Sequence, residues 1–210
     1  MSLTFMRASS RVERDRRRRM ADLTEAGEQL FFEKGYQHTT MEDIARRADY
    51  AVGTLYRYFP SKERLFEELL YGKMMDYCRQ WEKVFEDLSS PLTVIRSAVR
   101  MKLEFFEKER RFFRLFVEEI NPMESGAHTS VFSERCHALR QKCRSSWHRL
   151  IRRGMRLGVF ETADVHLSTV AIEGAMHEVI RDFVLRHPQR PLVALEGFLK
   201  NLIERILKKP

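Results

Sequence analysis

From Met20 to Ile206 apolar residues return at three- and four-residue steps, a spacing that gathers each segment's apolar side chains on one face of a helix. No segment reads as a strand. Chain breakers are scarce as well. Nine Gly and six Pro stand in 210 residues, where average usage would give roughly 15 and 10, so an all-β sandwich or barrel is disfavoured. The spacing predicts an all-α chain of nine helices, with no internal repeat of 20 to 50 residues.

The boundaries follow from caps and breaks. Met20, Leu23, Ala26, Leu30 and Phe31 mark a first helix, closed by Gly35 in a C′ position. Thr40 precedes Met41, Ile44, Ala45 and Ala48, and Asp43 is placed to reach back to the Thr40 backbone as a variant capping box. Asp49, Tyr50 and Ala51 interrupt the pattern. Val52 to Phe59 then has room for about two turns before Pro60 forces its predecessor into extended geometry. Ser61 can cap a long helix running to Leu88, and Ser90 with Pro91 at N1 starts the next, through Ile95, Val99, Leu103 and Phe106. A helix from about Arg110 to Ile120 precedes a loop at Asn121 to Gly126. Phe132, Cys136, Leu139, Cys143, Trp147, Leu150 and Ile151 form the stripe of a long helix ended by Gly158. Thr162 can open a helix lasting to His187-Pro188, and a last helix follows Pro191.

Hydrophobic residues make up 43% of the chain and charged residues 32%, enough apolar material to bury a sizeable core. Lys and Arg number 38 against 30 Asp and Glu, a net charge of +8 that favours an anionic partner, nucleic acid or membrane surface. Seven arginines against Glu13 and Asp15 concentrate that charge in residues 1–19, which read as a basic arm. No apolar run is long enough for a signal peptide or a membrane span, and the three cysteines have no CxxC spacing. The chain is therefore expected to be soluble and cytoplasmic, in a reducing compartment. Cys136 and Cys143, about 10.5 Å apart along one helix, cannot bridge each other.

Two short helices joined by a three- or four-residue turn, with a third packed across them, have the proportions of a helix-turn-helix. The second, VGTLYRYF, crowds donors onto an element too short to persist unless held: Thr54, Tyr56, Arg57 and Tyr58, with Lys62 beyond it. Gly53 would let the backbone approach a groove wall. The stretch EKGYQHTTMEDIARRADYAVGTLYRYFPSKERLFEELL, from Glu33 to Leu70, resembles the DNA-binding domain of the TetR family of bacterial transcriptional regulators, and residues 20–70 share its pattern. Matching positions include Phe31, Gly35, Thr39, Thr40, Ile44, Ala45, Gly53, Thr54, Leu55, Tyr56, Tyr58, Phe59 and Lys62. The resemblance implies a homodimer on a double-stranded operator, the second short helix in the major groove, and a divergent C-terminal domain that senses a small-molecule effector.

Residue by residue, it implies DNA contacts from Thr39, Thr40, Val52, Gly53, Thr54, Tyr56, Arg57, Tyr58 and Lys62, with Thr40 and Lys62 on phosphates. Leu55 and Phe59 are core. Arg16, Arg17, Arg18 and Arg19 would add backbone contacts from the arm. Asp49, Ala51 and Val52 stand where the family usually has Gly, Ser and Lys, which removes an N-cap and about one phosphate-type contact. The organisation expected is a basic arm over 1–19, a DNA-binding domain over 20–63 and a ligand-binding and dimerisation domain over 64–210.

Phosphate-cradling, nucleophile-elbow, metalloprotease and paired-cysteine signatures are all missing, so no enzyme, cofactor or metal is expected. Glu173 and His177 could be half of a metal site but read better as a helical pair. Met101, Phe105, Phe112, Phe116, His137, Trp147 and His177 are candidates for the effector pocket, each of which could equally be core. Leu167, Ile172, Met176, Val179 and Phe183, with Leu199, Leu202 and Ile206, are candidates for the dimer interface. The function expected is a one-component repressor released by an effector. The rivals are a basic helical protein bound to anionic membrane through its arm, and a helical small-molecule or lipid carrier with no DNA role.

Overall fold

A computed structural model describes residues 3–87, 89–120, 133–161 and 164–207, all helices, turns and connecting segments. The expected loop at Asn121 to Gly126, Phe132 of the long stripe, the Leu88 helix end and the Thr162 helix start lie outside the described residues. The elements are α1 (Leu3–Lys34), α2 (Met41–Arg47), α3 (Val52–Tyr58), α4 (Lys62–Phe85), α5 (Pro91–Lys108), α6 (Arg110–Leu115), α7 (Glu134–Arg156), α8 (Val165–Arg186) and α9 (Glu196–Leu207). A π turn, Phe116–Ile120, follows α6, and a 3-10 turn, Leu192–Leu195, precedes α9. They form two compact units, one of Met1–Tyr71 with Glu118–Val131 and one of Gly72–Val117 with Phe132–Pro210.

In the first unit α1 is much longer than the apolar stripe alone requires. The arginine-rich stretch is not a separate tail but helix continuous with the core-packing part of α1. Arginine is a good helix former, no Gly or Pro precedes Gly27, and Glu13 reaches Arg17 at 3.2 Å and Arg16 at 3.8 Å across successive turns. α1 ends where expected, with Gly35 at φ +85°. Leu23, Leu30 and Phe31 of α1, Ile44 and Ala45 of α2, Leu55 of α3 and Leu65 and Phe66 of α4 close the core. Gly27, costly in mid-helix, is explained by packing: a Cβ there would stand 2.7 Å from Leu65 Cδ2.

In the second unit α5 packs on α7 and α9, and α8 on α6, α7 and α9. Val94, Ile95, Ala98 and Val99 of α5 are completely buried, as are Ile172 and Ile180 of α8 and Leu199 and Leu207 of α9. Trp81 and Trp147 meet edge to face at 5.7 Å. The straight helix expected to Ile120 instead opens into the π turn, because Phe112, Phe113, Leu115, Phe116 and Val117 are all buried and cannot share one narrow stripe. Asp164 caps α8, accepting from the Leu167 amide at 2.9 Å. Cys143 does not face Cys136, as the helix rise requires, but lies with its Sγ 3.1 Å from Sγ of Cys78 on α4.

α7 and the extended chain after it touch closely at one glycine. A Cβ at Gly154 would overlap the ring of buried Phe160, whereas a Cβ at Gly72 meets nothing within 4 Å. Gly154→Ala should cost about 1–3 kcal/mol through overpacking, lowering the melting temperature by several degrees. Gly72→Ala should raise it slightly, since Ala is the better helix former by about 1 kcal/mol. Thermal unfolding of both variants, followed by circular dichroism, checks the pair.

Candidate nucleic-acid interface

α2 is fixed at its start by the predicted capping box. The Asp43 amide donates to Thr40 Oγ1 at 3.1 Å, and the Thr40 amide donates to Asp43 Oδ2 at 3.2 Å. The same carboxylate receives Lys34 Nζ and, at 2.6 Å, Arg46. Lys34 first, then the Thr40 donors, hold the Asp43 carboxyl well below the ordinary carboxylate range. Arg47 grips Glu33 through two bonds of 2.8 and 2.6 Å, and the Tyr50 hydroxyl donates to Asp22 at 2.8 Å, so both ends of the turn are tied to α1.

The turn itself carries strain. Asp49 sits at φ +59°, the left-handed region where Gly is cheapest, and here the departure from the family pattern has a visible cost. Ala51 is the N-cap of α3 in extended geometry with no side-chain bond to offer. α3 has only seven residues. It persists because Leu55 is fully buried and Phe59, after the last turn, is buried as well. Their spacing turns Gly53, Tyr56 and Arg57 outward together, with Tyr56 46% exposed and nothing within 4 Å of Gly53. Val52, Thr54 and Tyr58 flank that face, half-buried. Thr40 is exposed, and its Oγ1 accepts from the Asp43 amide.

Two of the nine residues assigned to DNA are engaged within the protein. Thr39 is buried and its hydroxyl donates to the Gly35 carbonyl at 2.7 Å. Lys62 Nζ donates to the carbonyls of Tyr36 at 2.7 Å and Thr39 at 2.9 Å and lies 4.4 Å from the Tyr36 ring centre. Burial lowers its pKa. These two side chains hold the turn before α2 rather than present donors outward. Glu119 serves the same turn from the other side, accepting from the Tyr36 amide at 2.7 Å. No local pattern could announce Glu119, 83 residues away. Arg16, Arg17, Arg18 and Arg19 are all exposed along α1.

Residues 23–69 match the family described as bacterial regulatory proteins, tetR family, and residues 89–183 match the tetracyclin repressor-like C-terminal domain. The chain belongs to the TetR family. The transcriptional repressor KstR2 of Mycobacterium tuberculosis is 25% identical over 142 residues, covering 68% of this chain and 69% of its own. The repressor KstR of Rhodococcus jostii is 48% identical over 62 residues, 30% of this chain and 28% of its own. The crystal structure of the transcriptional regulator FadR from Bacillus subtilis in complex with stearoyl-CoA shares the fold, with a TM-score of 0.73 at 19% identity over 89% of this chain and 98% of that one.

In the second unit of this TetR-family chain, Met101, Phe105, Phe112, Phe116 and Trp147 are buried, His137 is exposed on α7, and His177 is exposed beside the Phe113 ring at 5.8 Å. Glu173 is engaged by Arg144 at 2.9 Å. Ile172, Met176, Phe183 and Leu199, assigned to a dimer interface, are buried in the chain's own core. A stripe read from spacing cannot distinguish the face that meets neighbouring helices from the face left open. Val179, Leu202 and Ile206 are half-buried, and the apolar residues left outward on α8 and α9 are Leu167 (63% exposed), Val170 and Phe198 (58%).

Ala51→Ser supplies the missing cap in a backbone already suited to it, and should stabilise by about 0.5–1 kcal/mol. Asp49→Val forces a β-branched residue into left-handed geometry and should cost about 2 kcal/mol. Denaturant titration of each variant checks the opposite signs.

Proposed function

We propose that the chain is a one-component repressor that binds a palindromic DNA operator as a homodimer and is released by a small-molecule effector bound in the second unit. The observation that carries the DNA half is the outward face of α3: Gly53, Tyr56 and Arg57 stand clear of the core while Leu55 and Phe59 anchor the helix. A short helix with one clear side, a backbone open to close approach, and one phenol and one guanidinium is suited to the major groove. Thr40 and Tyr58 flank it as phosphate donors, Val52 and Thr54 border the base-reading edge, and the α1 arginines add sequence-independent attraction.

The names of the relatives support repression, and FadR of Bacillus subtilis, which shares the fold, was solved in complex with stearoyl-CoA. α4 runs unbroken from Lys62, beside the turn before α2, to Phe85 among the aromatic residues of the second unit. Effector binding acts through that helix by favouring one of two conformations. Pairing of two copies covers the open apolar face of α8 and α9, around Leu167, Val170 and Phe198. No helix among the described residues is long and apolar enough to cross a membrane, and the protein acts in the cytoplasm.

A duplex selected from random sequence by the full chain provides the test. Tyr56→Ala with Arg57→Ala should weaken binding at least about 30-fold and flatten the salt dependence by about one phosphate, with melting unchanged because both side chains are exposed. A carrier without a DNA role would select no duplex. Leu167→Glu with Phe198→Glu should convert the dimer to monomer in sedimentation equilibrium; a dimer that survives would place the interface elsewhere.

A further inference from the structure

Lys102 lies in the middle of α5 and is only 9% exposed. Among the described residues its ammonium has no hydrogen bond and no ion pair, only the Phe106 ring with its centre 6.0 Å away. The carboxylate nearest in kind, Glu173 on α8, is committed to Arg144 at 2.9 Å. An unpaired buried cation is costly, and proteins rarely keep one without something to bind it. Burial pulls its pKa down to about 8, so the cation still predominates at neutral pH.

A second polar group shares the place. Tyr77 on α4 has a hydroxyl with no hydrogen bond among the described residues, near Cys143 and Glu173, which also face Lys102. Tyr77, Phe106, Cys143 and Glu173 are half-buried and His177 is exposed, although desolvation pulls His177 to about 4 and keeps it neutral. Phe106 and Phe113 meet edge to face at 4.7 Å, and Phe113 touches His177.

We propose that this cluster binds an amphipathic monocarboxylate, its carboxylate received by Lys102 and Tyr77 and its apolar body lying against Phe106 and Phe113. One ammonium and one hydroxyl match a single negative charge, whereas a phosphate dianion would bring a second charge with no cation to match it. The apolar body supplies affinity by burial and the buried ion pair supplies selectivity. The inference rests on the second unit being the effector domain, and names the class of effector.

The test uses the full chain and straight-chain carboxylates of 8, 12 and 16 carbons, with the alcohols and coenzyme A thioesters of the same lengths, titrated calorimetrically at pH 7. At least one carboxylate should bind at least tenfold more tightly than its alcohol and its thioester. Lys102→Met should weaken the carboxylate at least tenfold, leave the alcohol unchanged, and raise the melting temperature of the free protein, because it removes an uncompensated buried charge. A Lys102 with a merely structural role would lower it. Tyr77→Phe should weaken the carboxylate severalfold and decides the matter if the Lys102 variant does not fold. Equal binding of carboxylate and alcohol, preference for the thioester, no binding by any length, or full binding in both variants would each overturn the proposal. Duplex binding measured on the same samples separates the two readings. Duplex binding without carboxylate selectivity defeats this inference alone, and carboxylate selectivity without duplex binding defeats the regulator alone.

Discussion

Burial of Leu55 and Phe59 is the contact on which the rest of the first unit depends. Seven residues of helix have no independent stability in water, since nucleation alone outweighs what so few hydrogen bonds return. α3 exists as a satellite of a core built by α1, α2 and α4, and its outward face is whatever remains once those two side chains point inward. Everything that stiffens the surroundings serves that end. The Asp43 capping box, the Arg47–Glu33 fork, the Tyr50–Asp22 bond and the Lys62 clamp on the Tyr36 and Thr39 carbonyls are all short-range polar ties around one small apolar cluster.

That arrangement explains why the unit tolerates a strained Asp49 and an uncapped Ala51. Each defect costs on the order of 1 kcal/mol, and polar ties on either side of the turn offset it. The leading edge of α3 is correspondingly apolar, with Val52 half-buried at its first position.

The fold was largely legible in the sequence because caps and breakers are local. Thr40 with Asp43, Gly35, Gly158 and Pro91 each act within a few residues of where they stand, and each boundary falls beside them. What a single sequence hides is which of two roles a side chain takes when both use the same atoms. Lys62 offers an ammonium that would suit a phosphate as well as the carbonyls of Tyr36 and Thr39, and only the folded turn decides. Thr39 and Thr40 are adjacent and alike, yet one donates inward to Gly35 and the other faces out. Ile172 and Leu167 are both apolar on α8, and only packing against the other helices shows that one is core and the other surface. Glu119 and Lys102 were illegible for a different reason. Their meaning lies in what surrounds them across long sequence separations, and a lone charged residue in a helical pattern reads as solvated.

Side-chain footprinting by hydroxyl radicals, on the full chain with and without its selected duplex, tests the role of α3 most directly. Tyr56 should be oxidised readily in the free protein and several times more slowly on DNA, while Leu157, 59% exposed in the second unit, keeps its rate. An unchanged rate at Tyr56 in a saturated complex would mean that DNA meets some other surface.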